Sequence, residues 1–298
     1  MKAAQLLSLA ALAVALSACG SDGNEAEPNP EPAASVHELR YGPHPQQRLV
    51  VALPAQAKKG VLVWVHGGGW QAGDPRENYD EFLSPLAKSG YTVVSVGYRL
   101  GPGTFPMAEQ DVAQALRALL MGGCEACEPS DVWETLRNRL QDGYFAAGGS
   151  AGGPTLVWAV NDLARNGTVE LPACAAKVVA PVDLRALEGL SPAVVQIVRQ
   201  HTGGHPEQEA LKELSLAHWL SVTPRLRDVN WHVLGVGADA LVYSATLQTH
   251  VSQLQQQGFD IRWHFEAGTP DFGHGLTATS LQSFLVDTHE QCFTRGRP

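Results

Sequence analysis

Basic residues are in short supply in this chain. Its 298 residues carry 21 Lys and Arg against 30 Asp and Glu, a net charge of −9. A protein that grips nucleic acid neutralises phosphates with a stripe of positive charge, and no such stripe is present, which excludes nucleic-acid partners. Long apolar runs are lacking too. The run at Leu6–Leu16 has the length of a secretory leader's core and is too short to span a bilayer. No internal repeat is visible, and no low-complexity tract occurs beyond a short N-terminal tether. Closely spaced cysteine pairs are limited to Cys124-Glu-Ala-Cys127. With no second ligand pair and no thioredoxin-like context, neither a zinc half-site nor a redox motif has support there.

What is present at 44% hydrophobic and 17% charged residues is the composition of a soluble globular protein with a sizeable core. The N-terminus stands apart from it. Met1-Lys2 and the apolar run end in Leu16-Ser17-Ala18-Cys19, which resembles the lipobox of bacterial lipoproteins, where the cysteine is lipid-modified and begins the mature chain. On that resemblance residues 1–18 are a lipoprotein signal peptide, Cys19 is the lipidation site, and 19–35 are a tether. Several acyl groups would hold the domain at a membrane of the cell envelope, and Gly20 rather than Asp after the cysteine points to the outer membrane. A plain secretory signal with an A-x-A-like cleavage is the alternative. The four remaining cysteines, Cys124, Cys127, Cys174 and Cys292, suggest disulfides in such a compartment, with three possible connectivities.

Residues 36–298 read as one α/β domain. Val36–Tyr41 and Arg48–Leu53 alternate as an opening hairpin. Val61–Val65, Tyr91–Val96, Tyr144–Ala147, Lys177–Val182 and Trp231–Val236 are continuous apolar runs, the pattern of parallel strands buried on both faces. Asp260–Phe265 alternates and so suits an edge-side last strand. Helical periodicity falls over Tyr79–Ser89, Pro106–Met121, Asp131–Leu140, Thr155–Arg165, Tyr243–Gln257 and Thr277–Cys292. A helical insertion at about 184–228, with His201 to His205 in a turn, forms a roof. Strands alternating with helices predict a doubly wound, mostly parallel sheet with helices on both faces.

The stretch that carries chemistry is Gly148-Gly149-Ser150-Ala151-Gly152. It fits a nucleophile elbow, in which a serine sits on a strained strand-to-helix turn with its hydroxyl exposed. Gly148 and Gly152 omit the side chains that would collide across it. A serine hydroxyl is a weak nucleophile until a base takes its proton. His274, between Gly273 and Gly275 on the loop after the last strand, is the base. Asp239, after Gly237-Ala238 at a strand end, orients it. Taken alone, such an Asp is often a turn residue and such a His a surface one, and Asp271 is a rival acid. His201, His205 and His218 read as surface or roof residues, and His232 and His264 as packing residues within strands. His66-Gly67-Gly68-Gly69-Trp70 supplies backbone N–H groups free of obstructing side chains: Gly68, Gly69 and Ala151 form the oxyanion hole, with Gly67 a weaker candidate.

On these motifs the chain resembles the esterases and lipases of the α/β-hydrolase superfamily. It is similar to hormone-sensitive-lipase-like carboxylesterases with HGGG and to related carbohydrate esterases with HGGxW. Gly73-Asp74, Tyr98-Arg99-Leu100, Pro106 with Asp111, and Gly237-Ala238-Asp239 with Val242 carry the likeness over roughly residues 61–285. The resemblance implies the α/β-hydrolase fold and an acyl-enzyme route through Ser150, Asp239 and His274, without metal or cofactor, on a small-molecule ester. One departure stands out: where many members have Asp or His before the serine, this chain has Gly149. The fold implied would set all four cysteines opposite the active site, pairing Cys124 with Cys127 and Cys174 with Cys292. A prolyl-oligopeptidase-type serine peptidase and a non-catalytic binding module of the same fold are the rival readings.

Overall fold

The computed structural model describes residues 34–77, 79–167, 169–270 and 274–294. The readings for the signal peptide, Cys19 and most of the tether, and for Asp271, lie outside them. The domain opens with the hairpin β1 (Ser35–Arg40) and β2 (Arg48–Leu53), in register from Arg40 opposite Arg48 to Ser35 opposite Leu53. Then follow β3 (Val61–Val65), α1 (Ser84–Lys88) and β4 (Thr92–Val96), α2 (Met107–Met121) and α3 (Val132–Leu140), β5 (Tyr144–Gly149) and α4 (Gly152–Asn166), and β6 (Cys174–Val178). The insertion holds α5 (Pro192–His201), α6 (Glu207–Glu213) and α7 (Leu216–Val222). The chain closes with β7 (Asn230–Val236), α8 (Ser244–Gln256), β8 (Ile261–Glu266) and α9 (Ala278–Thr294). No helix among the described residues is long and apolar enough to cross a membrane.

The eight strands form one sheet in the order β1-β2-β4-β3-β5-β6-β7-β8. From β4 to β8 all pairs are parallel, and β2 alone runs against them, antiparallel to both β1 and β4. Val, Leu and Ala dominate the central strands because helices cover both faces and nearly every residue there is buried. One core, with Val63, Ala146 and Ala175 from the sheet, packs beneath α2, α3, α4 and α8. The other, with Leu62, Phe145 and Ala176, packs beneath α1 and α9. This is the mostly parallel sheet with helices on both faces that the periodicity predicts, in the α/β-hydrolase architecture that the resemblance implies.

Three local expectations are corrected. A π-helical turn at Tyr79–Leu83 precedes α1, so that helix is not regular throughout. Strand β6 begins at Cys174 and ends at Val178, not at Val182. The apolar run continues, but Val179 turns to φ 46° and ends the ladder there. Cysteine pairing is as the resemblance implies, with Cα atoms 4.9 Å apart in Cys124–Cys127 and 6.0 Å in Cys174–Cys292. Cys174 opens β6 and so lies at the amino end of the sheet. Cys124 does not: after Gly122 and Gly123 turn at positive φ, the chain doubles back and sets its Sγ 3.5 Å from the Tyr41 carbonyl oxygen. Tyr41 follows β1 and bonds Gly97, just past the carboxyl end of β4.

Candidate active site

Strand β5 ends at Gly149 and α4 begins at Gly152, so two residues reverse the chain. Ser150 takes φ 49°, a left-handed conformation that non-glycine residues rarely adopt. A Cβ on Gly148 would sit 2.3 Å from the Gly152 carbonyl oxygen, which is why no side chain is tolerated there. The turn is fastened by its own backbone: Ser150 N–H donates to the Val178 carbonyl at 2.9 Å and Gly153 N–H to the Ser150 carbonyl at 3.0 Å.

Asp239 and His274 leave the adjacent strands β7 and β8 in loops bonded side by side, Gly237 N–H to Glu266 and Ala238 N–H to Ala267. That pairing brings the two side chains together. His274 Nδ1 lies 2.8 Å from Asp239 Oδ2, and Nε2 lies 2.9 Å from Ser150 Oγ, across 124 positions of sequence. The Asp239 carboxylate is fully buried while the imidazole is 22% exposed. Its other oxygen accepts Leu241 N–H at 2.8 Å and Val242 N–H at 3.0 Å, so the acid cannot swing away. With Nδ1 donating to that carboxylate, Nε2 is left to accept the serine proton.

The loop after β3 packs against the elbow. A Cβ on Gly67 would stand 3.1 Å from Ser150 Cβ. Gly68, Gly69 and Trp70 all turn at positive φ. The N–H groups of Gly68, Gly69 and Ala151 have no acceptor among the described residues, as donors reserved for a developing oxyanion require. Behind the loop, Tyr98 O–H donates to the His66 carbonyl at 2.8 Å, and its ring stacks on the His66 imidazole at 4.4 Å. His66 Nδ1–H donates to Gly67 O at 2.8 Å, and burial lowers the imidazole pKa below its ordinary value. Asp111 receives both the Arg99 side chain and its backbone N–H. These residues, singled out by resemblance, are the scaffold of the loop.

Gly149 has a local reason. A Cβ there would meet the Trp64 indole at 2.8 Å, so the tryptophan fills the place an Asp or His would take. His232 and His264 pack within the strands as expected, 2.9 Å apart. His201 takes the expected roof position, on the insertion's helix α5, but it is not a surface residue. It ends α5 fully buried, 3.0 Å from Glu109, and stacks on Trp70. Glu109 was not singled out by sequence at all; a charged residue on the apolar face of a helix was the available signal. Among the described residues the grouped metal-type donors are Cys174, His232 and Cys292 at the far end of the sheet, two of them joined in a disulfide.

A sequence profile of the alpha/beta hydrolase fold family matches residues 62–221. Among characterised relatives, the amyloplastic tuliposide A-converting enzyme b1 of Tulipa gesneriana is 45% identical over 76 residues, 24% of this chain and 18% of that enzyme. The match thus spans under a fifth of the relative. Solved structures agree over most of the chain. Carboxyl esterase 2 of the fungus Tuber melanosporum superposes with TM-score 0.65 at 17% identity, covering 92% of this chain and 90% of its own. A hormone-sensitive lipase from a metagenome library gives TM-score 0.64 at 19% identity, covering 89% and 87%. A bacterial heroin esterase gives 0.63 at 18%, covering 89% and 85%.

Proposed function

The chain belongs to the alpha/beta hydrolase fold family, and on that footing we propose that it is a serine hydrolase of carboxylic esters. One observation carries the reading: a single imidazole lies within hydrogen-bond distance of both Ser150 Oγ and Asp239 Oδ2, from three separate segments of chain. In the proposed cycle Ser150 Oγ attacks the ester carbonyl carbon while His274 Nε2 takes its proton. Negative charge moves to the carbonyl oxygen, opposite the N–H groups of Gly68, Gly69 and Ala151. Collapse breaks the C–O bond, and His274 returns the proton to the departing alcohol, leaving an acyl group on Ser150. Water, deprotonated by the same ring, then releases the acid. Asp239 holds the ring's tautomer and stabilises the imidazolium in both halves. The solved neighbours named as esterases and a lipase support the substrate class.

A fluorophosphonate probe should label Ser150, and Ser150→Ala should abolish labelling. The same variant, folded as judged by circular dichroism, should lose at least about 100-fold of p-nitrophenyl acetate turnover. Unaltered turnover, or labelling elsewhere, would overturn the assignment.

A further inference from the structure

Trp70 closes the glycine loop that packs against Ser150, and it does so at φ 57°. A left-handed conformation is costly for a bulky residue, so it persists only where the surroundings impose it. The Trp70 carbonyl accepts Gly101 N–H at 2.7 Å, and two further contacts hold the side chain. The indole Nε1–H donates to Thr155 Oγ1 on α4 at 2.8 Å. The indole face lies parallel to the His201 imidazole, centroids 4.2 Å apart at 4°.

His201 is itself held. Its Nε2 lies 3.0 Å from Glu109 Oε1 on α2, and its Nδ1 3.1 Å from Thr104 Oγ1. The Thr155 hydroxyl that receives the indole is 3.3 Å from the same carboxyl oxygen. The Glu109 and His201 side chains are wholly buried, and Glu109 Oε2 has no partner among the described residues. Such a pair is poorly explained as a stabiliser, because apolar side chains of similar volume commonly do as well or better. Its geometry suits another purpose. Helix α5 also sets Ile197 Cγ2 2.9 Å from where a Gly69 Cβ would be, and Gln200 bonds Gln71. The end of the roof helix and the loop are therefore one assembly.

We propose that Glu109 and His201 are positioning residues that hold Trp70 in its left-handed turn and thereby aim the Gly68 and Gly69 N–H groups. This rests on the ester-hydrolase reading. Those amides act only as charge develops on the carbonyl oxygen, so the loss on breaking the clamp falls on kcat and not on KM. Glu109→Leu with His201→Leu removes both polar groups and the ring while filling most of the space. The double variant should unfold within a few degrees of the wild type, turn over p-nitrophenyl acetate about 10-fold or more slowly, and keep KM within about threefold. Glu109→Gln, which retains the acceptor oxygen, should restore most of the rate. Hydrogen exchange of the amides at 67–72 should quicken in the double variant alone. If that variant does not fold, Thr155→Val carries the same comparison. Wild-type exchange at 67–72 in a folded clamp variant overturns the inference. A wild type inert toward every ester would instead sink the hydrolase reading, and the exchange measurement would still judge the clamp.

Discussion

The two ends of the sheet are built on different terms. Ser150, Trp70 and Val179 are the non-glycine residues among those described that take positive φ, and each follows the carboxyl end of a strand, β5, β3 and β6 respectively. At the amino end the ladders are regular, with Cys174 in register with both Phe145 and Asn230, and the Cys174–Cys292 bond ties β6 to α9. Strained backbone survives only where the rest of the structure over-determines it. Here the strained end is held by local contacts, Ser150 N–H on Val178 and Trp70 on Gly101, Thr155 and His201, while the amino end is unstrained and tied by a long-range disulfide.

If that division is real, perturbing one end should change rate and perturbing the other should change stability. The largest effect is expected at the carboxyl end. Asp239→Asn keeps the shape but loses the acceptor that sets the His274 tautomer, and should lower kcat by roughly 10⁴-fold with little change in unfolding temperature. Steady-state kinetics beside calorimetry checks this; equal loss of both would blur the distinction.

At the amino end, Cys174→Ser with Cys292→Ser opens a bond spanning 118 positions. Loop entropy puts the cost at about 4–5 kcal/mol of stability, read by urea unfolding. The folded fraction, counted by active-site titration, should keep its kcat; a fall would mean that the two ends are coupled. Opening Cys124–Cys127, separated by three positions, should cost no more than about 2 kcal/mol.

A smaller effect sharpens the contrast from inside the sheet. Lys177 on β6 is fully buried, its amine has no hydrogen-bond partner among the described residues, and burial pushes its pKa down to about 7 against an opposing pull from Asp183. Between pH 7 and its unfolded value the amine is protonated only in the unfolded chain, so stability rises with pH across that window. Below pH 7 both states carry the proton, and the penalty of the buried charge is complete. Lys177→Met should therefore stabilise by a few kcal/mol at pH 6 and by almost nothing near pH 10, measured by urea unfolding at each pH. A gain independent of pH would mean that the amine is solvated in the native state.

The sheet could be read before folding because central parallel strands advertise themselves as unbroken Val, Leu and Ala runs between turn residues. Ser150 was legible because the elbow needs glycine on both sides of it, and Asp239 and His274 followed from strand ends and chain order. The limits of β6 were not legible, because an apolar run continues through Val179 while the backbone does not. Nor was the Glu109–His201 pair, whose members are 92 positions apart and meet only when α5 closes over α2. Local patterns carry turns and periodicity; a contact between two distant polar residues leaves no periodic trace.

The indole of Trp64 beneath Gly149 has a bearing on protein engineering. Grafting an Asp or a His onto residue 149 would drive it into an occupied volume. A library varying the elbow alone would return mostly misfolded clones. Diversifying 64 and 149 jointly, pairing smaller side chains on β3 with polar ones ahead of the serine, opens a path that single substitutions cannot take.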